Sequence, residues 1–125
     1  MRLLLDSHVL LWSISDPRQL ATDVYAQVRD STNEVFVSVA TAWELAIKVG
    51  LRRLRIRGDL ERTIDDSGFR KLGISFAHAM RAGALPRHHG DPFDRMLIAQ
   101  AQSEGLTLVT RDRTFLAYGV PILKA

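Results

Sequence analysis

The chain has 125 residues and a mass of 14.0 kDa, which suits a single domain and excludes two independent catalytic modules. Hydrophobic residues make up 46% and charged residues 25%, so the composition is globular and excludes a disordered chain. Because there is no cysteine, disulfides, thiolate metal sites and cysteine nucleophiles are also excluded.

The formal net charge is +3, and only three of the 17 cationic side chains are lysines. This bias favours a phosphate-bearing partner, because the arginine guanidinium pairs with phosphate oxygens. No apolar run approaches the about 20 residues of a transmembrane helix, and the N-terminal run is too short for a secretory signal. We therefore expect a cytoplasmic protein with no membrane partner.

Five short apolar runs predict the buried strands of a parallel sheet, at residues 3–5, 35–37, 72–74, 106–109 and 120–123. Helical patterns lie between them at residues 8–14, 16 to about 29, 38–49, 59–66, 76–82 and 93–104. Asp16 and Pro17 are predicted to start the second helix, and Gly50 and Gly105 to end the third and sixth. The alternation predicts an α/β fold whose mostly parallel sheet is covered on both faces.

In such sheets the active site lies beyond the carboxyl ends of the strands, where four acids are predicted to converge. Asp6 directly follows the first strand, and Asp112 stands just past the fourth. Glu44 lies in the largely apolar third helix, and Asp94 opens the sixth helix on the face that carries Ile98. Their convergence favours one shared site.

Each acid also has an ordinary structural explanation. Asp6 can cap the helix that follows it, Asp94 can complement a helix N-terminus, and Asp112 can start a turn. Glu44 precedes Lys48 by four residues, which is the favourable order for an ion pair on a helix surface.

Clustered carboxylates need a positive partner, since like charges ~4 Å apart repel by about 4 kcal/mol at an effective dielectric near 20. Oxygen ligands without cysteine or an obvious histidine triad favour Mg²⁺ or Mn²⁺ over zinc. Such an ion activates water and neutralises charge on a phosphate, which is the chemistry of phosphodiester hydrolysis.

Four ordered segments resemble those of the PIN-domain ribonucleases, and more closely those of the VapC toxins of bacterial toxin–antitoxin pairs. They are LLLDSH at 3–8, WELAIK at 43–48, HHGDPFDRMLIAQA at 88–101 and LVTRD at 108–112. The resemblance implies a single PIN-like domain over residues 1–125, folded as a three-layer α/β/α sandwich. It also implies an endoribonuclease that depends on Mg²⁺ or Mn²⁺ and cleaves tRNA or rRNA, forms a homodimer, and is silenced by a VapB-type antitoxin.

The resemblance assigns roles to the four acids. Asp6 and Asp94 are expected to be the principal metal ligands, and Asp112 to bind the metal directly or through water. Glu44 is expected to hold or deprotonate the attacking water.

Four other residues near these motifs can be interpreted in more than one way. Asp91 is either a fifth acid of the site or the cap before Pro92, and we favour the cap. Ser7 either donates its hydroxyl to a carboxylate or phosphate, or caps the first helix. We place His88 and His89 outside the core site, because adjacent histidines in a glycine-containing loop are usually solvated.

The basic segment after the third helix also has two interpretations. Its arginines, with Leu54 and Ile56 between them, either contact an RNA backbone or form a solvated face; they are Arg52, Arg53, Arg55 and Arg57. Arg95 either offsets the negative charge of the acids or contacts a phosphate. Trp12 and Trp43 are predicted to be core residues.

Two other functions remain alternatives to the ribonuclease. One is a catalytically silent RNA- or protein-binding PIN module, which would have no reason to crowd four acids. The other is a different Mg²⁺-dependent phosphohydrolase. A phosphatase with an aspartate nucleophile usually has a second aspartate two residues on, where this chain has His8, and no GxxxxGK phosphate loop is present.

Overall fold

A computed structural model describes residues 1–125, and at its centre lies a five-stranded sheet in which all neighbouring strands are parallel. The strand order is β3-β2-β1-β4-β5. The strands are β1 (Arg2–Leu5), β2 (Glu34–Ser38), β3 (Arg70–Leu72), β4 (Thr107–Thr110) and β5 (Ile122–Lys124).

Helices cover both faces of the sheet, so the predicted three-layer α/β/α architecture is confirmed. The helices are α1 (Ser7–Ser15), α2 (Thr22–Arg29), α3 (Val39–Gly50), α4 (Leu60–Asp66), α5 (Phe76–Ala84) and α6 (Pro92–Glu104). Two short 3₁₀ segments, Pro17–Gln19 and Arg113–Tyr118, complete the connections. None of the helices has the length and apolar character to cross a bilayer.

The central strand β1 explains why both faces need cover. Leu3 and Leu5 join the core formed with α1 to α4, whereas Leu4 joins the core formed with α5 and α6. All three side chains are fully buried, as the period of two along a strand requires for a strand packed on both sides. Leu5 is in register with Val37 of β2 and Val109 of β4, so these three strands end at the same edge.

The prediction for the second helix is wrong at its start. The chain makes a 3₁₀ turn over Pro17–Gln19 and then becomes extended at Leu20, and α2 begins only at Thr22. The side chain of Leu20 is 6% exposed and belongs to the core beside α1 and α2, which accounts for the break. The Asp16 side chain accepts hydrogen bonds from Arg18 and Gln19 side chains instead of capping the backbone.

The end of α3 also differs from the prediction. Gly50 is still helical, and the left-handed residue is Arg52, with φ of 58°. The backbone N–H of Arg52 donates to Val49 O and that of Arg53 to Lys48 O, which together form a Schellman motif two residues later than the glycine suggested. By contrast, Gly105 is left-handed and ends α6 as predicted.

Three further differences concern the edge strands and Trp43. The edge strand β3 ends at Leu72, the first residue of the predicted segment, and β5 starts after Pro121, which has no N–H to donate to the sheet. Trp43, predicted to be a core residue, is 61% exposed and makes an edge-on contact with Phe93 at the start of α6. Trp12 is half-buried and packs against the core.

Candidate metal centre

A cavity of about 220 Å³ opens at the edge where β1 and β4 end, and all four predicted acids line it. Asp6 comes from the end of β1, Glu44 from α3, Asp94 from the first turn of α6, and Asp112 from just beyond β4. The structure therefore brings together residues that are up to about a hundred positions apart in the chain. The two accessory candidates, Ser7 and Asp91, line the same cavity.

Asp6 is both a helix cap and a wall of the cavity. Its Oδ1 accepts the Val9 backbone N–H at 2.8 Å, and its Oδ2 accepts the Thr110 hydroxyl at 2.6 Å. Burial raises the pKa of Asp6, and the hydrogen bonds from Thr110 and Val9 only partly oppose this. Each carboxylate oxygen keeps a lone pair that can face a cation.

Asp94 has the most strongly shifted pKa of the four acids. Burial, followed by repulsion from Asp91, Glu44 and Asp6, raises the pKa of Asp94 to about 7, although His89 acts in the opposite direction. At neutral pH the carboxylate is therefore only partly ionised unless a positive charge compensates it. A cation in the cavity would remove this penalty.

Asp112 has a different environment from that of Asp94. Its Oδ1 accepts the Thr114 backbone N–H at 2.8 Å, so it caps the second 3₁₀ segment. Its partial burial acts to raise its pKa, but hydrogen bonds from Thr114 and His89 outweigh that effect and the pKa is lowered. Asp112 is thus an ionised carboxylate at neutral pH.

His89 belongs to the site, contrary to the prediction that it lies outside. Its Nε2 is 3.0 Å from Asp112 Oδ2 and 3.0 Å from Asp94 Oδ2. Its exposed neighbour His88 instead packs against the ring of Tyr118. No signal in the sequence separates the two histidines, since only the path of the loop determines which one turns inward.

Glu44 lines the cavity and also forms the expected ion pair with Lys48. The residue is 8% exposed, and its Oε2 accepts a hydrogen bond from Lys48 Nζ at 2.8 Å, one helical turn further along α3. Lys48 also lines the cavity, so a cation stands at the rim of the acid cluster. Sequence reasoning named Lys48 only as a surface partner of Glu44.

The capping interpretation is right for one of the two accessory residues and wrong for the other. Asp91 Oδ1 accepts the backbone N–H groups of Phe93 and Asp94 at 2.8 and 3.2 Å, which confirms Asp91 as the cap of α6. The cap of α1 is Asp6, so the capping alternative for Ser7 is wrong. Ser7 is 6% exposed and begins α1 at the cavity wall.

Arg95 does not face the acids or the solvent, so its prediction as an RNA contact is wrong. It is 9% exposed, and its guanidinium donates to backbone carbonyls at the end of α5 and in the loop that follows it. The distances are 2.9 Å to Ala82 O, 2.8 Å to Leu85 O and 2.9 Å to Pro86 O. A planar fork with five donors suits this role, because one side chain satisfies several buried carbonyls.

The basic segment after α3 borders a different hollow, of about 1170 Å³. Arg52, Arg55 and Arg57 line it together with Leu54 and Ile56, which pack against the core. Arg53 is exposed beside them. This hollow is lined by no acid or histidine, in contrast to the smaller cavity.

The donor set in the smaller cavity fits a hard divalent cation. Carboxylate oxygens of Asp94 and Asp112 lie within 4.8 Å of each other, with His89 beside them, and Asp6 lines the same cavity. Carboxylate oxygens are the preferred ligands of Mg²⁺ and suit Mn²⁺, and the repulsion among them favours binding of positive charge.

Two further residues at the site were not named by sequence reasoning. Thr110 ends β4 and bridges the acids, since its hydroxyl donates to Asp6 and accepts the Asp112 backbone N–H at 3.1 Å. Arg111 lines the cavity, and its guanidinium carbon lies 4.2 Å from the centre of the Trp12 ring. Strand alternation could have indicated Thr110, because a polar residue at a buried strand end needs a partner.

The sequence is similar to a known protein family and to a named ribonuclease. The family model described as PIN domain matches residues 3–121. Ribonuclease VapC22 of Mycobacterium tuberculosis is 31% identical over 121 residues, which cover 94% of this chain and 92% of that protein.

Solved structures share the fold at lower identity. The crystal structure of VapBC2 from Rickettsia felis, bound to a DNA fragment from their promoter, matches with a TM-score of 0.70 and 18% identity, covering 99% of this chain and 98% of that one. DNA-bound VapBC from Salmonella typhimurium matches with a TM-score of 0.68 and 19% identity over 99% and 98% of the two chains. A toxin–antitoxin complex from Klebsiella pneumoniae matches with a TM-score of 0.65 and 23% identity over 97% and 95%.

Proposed function

Because the chain belongs to the PIN-domain family, we propose that it is a divalent-metal-dependent endoribonuclease and the toxin of a VapBC-like toxin–antitoxin pair. The observation that carries the proposal is the convergence of Asp6, Glu44, Asp94 and Asp112 in one cavity. A similar protein named a ribonuclease, 31% identical along almost the whole chain, supports the same activity.

The proposed roles follow from the environment of each acid. Asp6, Asp94 and Asp112 would hold the cation, because these residues line the cavity and two of the carboxylates are ordered by hydrogen bonds. When bound, Mg²⁺ or Mn²⁺ supplies a Lewis acid that activates water and neutralises charge on the phosphate. Glu44 orients the attacking water and accepts its proton, and Lys48 keeps that carboxylate at the cavity wall.

The substrate we propose is RNA, with tRNA or rRNA as the expected classes. The large hollow and the acid-lined cavity both border α1 and α3: Leu11 and Val49 line the hollow, and Ser7 and Lys48 line the cavity. An RNA strand whose phosphate enters the cavity can therefore continue toward the basic segment. The arginines of this segment are exposed and pair with no acid of this chain; they are Arg52, Arg53, Arg55 and Arg57.

Two protein partners belong to the proposal. The structural neighbours include VapBC assemblies and a toxin–antitoxin complex, which supports a VapB-type antitoxin as a partner of this chain. A second copy of the chain is the other partner, and the homodimer would cover apolar side chains that α3 and α5 present to solvent. Trp43 is 61% exposed, Met80 62% and Phe76 84%.

Cleavage of labelled tRNA and rRNA fragments tests the proposed activity. We expect purified protein to cut RNA when Mg²⁺ or Mn²⁺ is present and to stop when EDTA is added. Asp6→Asn and Asp94→Asn should remain folded and lose cleavage, because each removes a charge from the cavity. Asp23→Asn is the matched control, since it makes the same change in the first turn of α2, outside the site.

Full cleavage by either folded site variant would contradict the catalytic assignment. A wild-type protein that binds RNA tightly but never cuts it would favour a silent RNA-binding module instead. Hydrolysis of small phosphate esters, with RNA left intact, would favour another metal-dependent phosphohydrolase.

A further inference from the structure

The imidazole of His89 lies in direct contact with two acids of the site. A single nitrogen, Nε2, is 3.0 Å from Asp94 Oδ2 of α6 and 3.0 Å from Asp112 Oδ2 beyond β4. The side chain is 14% exposed, so these carboxylates are its main polar surroundings. An imidazole in this position can either offer a lone pair to a cation or donate an N–H to the carboxylates that hold one.

The other ring nitrogen distinguishes these two roles. Nδ1 accepts a hydrogen bond from the Asp91 backbone N–H at 3.1 Å, so Nδ1 carries no proton. A neutral imidazole has one ring proton, which must then be on Nε2. With the Asp91 hydrogen bond in place, Nε2 is a donor and has no lone pair for a metal ion.

Three further contacts hold His89 in place. The His89 backbone N–H donates to Tyr118 Oη at 2.7 Å, and its carbonyl accepts from Arg95 at 3.3 Å. The imidazole packs against the ring of Phe115, with 5.5 Å between centroids. Rotation of His89 to present Nδ1 to the cavity would break the bond to Asp91 and this packing.

We propose that His89 is a positioning residue whose Nε2–H holds the Asp112 carboxylate beside Asp94, so that the spacing of the two ligands is set before a cation enters. The inference rests on the proposed function, because it assigns an outer partner to the ligands of the same metal centre. Loss of such an outer partner typically weakens metal affinity about 10- to 100-fold.

Direct Mn²⁺ binding, followed by the electron paramagnetic resonance signal of the free ion, tests this role without reference to cleavage. His89→Asn removes the donor and should weaken Mn²⁺ binding about 10-fold or more. His89→Gln places an amide N–H near the position of Nε2 and should restore most of the affinity. His88→Asn, a change in the exposed neighbour, should leave the affinity unchanged.

The possible failures of this binding experiment are distinguishable. If the wild-type protein does not bind Mn²⁺, the proposed function and the role of His89 both fall. If the wild type binds and folded His89→Asn binds equally tightly, only the role of His89 is overturned.

A measurement on the wild-type protein keeps the inference testable even if the variants do not fold. Nitrogen NMR of ¹⁵N-histidine-labelled protein should show His89 protonated on Nε2 and unprotonated on Nδ1. This pattern should persist at saturating Mg²⁺, since a positioning donor keeps its proton. A proton on Nδ1, or an Nε2 that loses its proton when Mg²⁺ binds, would instead identify His89 as a ligand and overturn the proposal.

Discussion

Thr110 Oγ1 donates a 2.6 Å hydrogen bond to Asp6 Oδ2, across 104 positions of sequence, and joins the ends of the neighbouring strands β1 and β4. The same hydroxyl accepts the backbone N–H of Asp112. One buried threonine therefore fixes the relative position of two of the four acids.

Thr110→Val should destabilise the protein by about 1–3 kcal/mol, because it leaves the buried Asp6 oxygen and the Asp112 N–H without their partner. Valine nearly matches threonine in shape, so the change isolates the hydroxyl. Urea unfolding of the metal-free protein measures the effect, and Thr110→Ser should retain most of the stability. Equal stability of the valine variant and the wild type would show that the bridge contributes nothing.

Asp94→Asn should stabilise the metal-free protein at pH 8 and have little effect at pH 4. The pKa of about 7 lies above the ordinary value of 3.8, so the folded state retains a proton that the unfolded state loses between these values. Stability from this group is complete below pH 4 and declines as the pH rises toward 7. Asparagine carries no charge at any pH and avoids the decline, which we expect to be on the order of 1–3 kcal/mol.

Urea midpoints at pH 4, 6 and 8 in EDTA measure this difference. Addition of Mg²⁺ should reverse the order at pH 8, because ion binding stabilises the wild type more than the variant. A stability difference that is the same at all three pH values would contradict the assigned burial and repulsion.

Arg95→Met should destabilise the protein by about 3–5 kcal/mol, since it leaves several carbonyls at the end of α5 and in the following loop without donors. Arg95→Lys keeps the charge but loses the planar fork, so it should recover little of the loss. Arg81→Met, on the exposed face of α5, should change stability by less than about 0.5 kcal/mol. If the Arg95→Met protein is stable but binds RNA more weakly, Arg95 is an RNA contact after all.

Replacement of the basic segment should reduce the salt dependence of RNA binding. For single-stranded RNA, each lost phosphate contact lowers the slope of log K against log salt by about 0.7. Filter binding in EDTA, which prevents cleavage, compares the triple variant Arg52→Gln, Arg53→Gln and Arg55→Gln with the wild type. The control has the same change in charge at exposed arginines that line neither cavity, namely Arg18→Gln, Arg29→Gln and Arg81→Gln.

An unchanged slope in the first triple variant would mean that these arginines are a solvated face. An equal reduction in both triple variants would indicate that only the net charge of the protein matters.

The sequence predicted the parts of the fold that depend on local pattern and strand direction. Asp6 and Asp112 were placed at one edge because parallel strands end there together, and Asp91 was recognised as a cap from the proline that follows it. These inferences need only the order of residues along one element and the direction of its neighbours.

The errors concern features that depend on what packs against an element. The apolar pattern of α3 surrounds the helix, so it could not show that Trp43 faces solvent. Likewise, the orientation of His89 depends on its loop, which Arg95 of α6 holds by a hydrogen bond to the His89 carbonyl. The break before α2 depends on the burial of Leu20 in the core. Each of these features depends on contacts with residues that are distant in the sequence.

The position of β1 at the middle of the sheet gives Asp6 the firmest support among the four acids. Its strand is flanked on both sides and its own amide donates to Val109 O, so we expect this amide to exchange only when the central sheet opens. Asp112 lies beyond the end of β4, and its side chain is 40% exposed. An arriving phosphate therefore passes a solvent-facing carboxylate before it reaches an ion whose deepest anchor is fixed to the centre of the sheet.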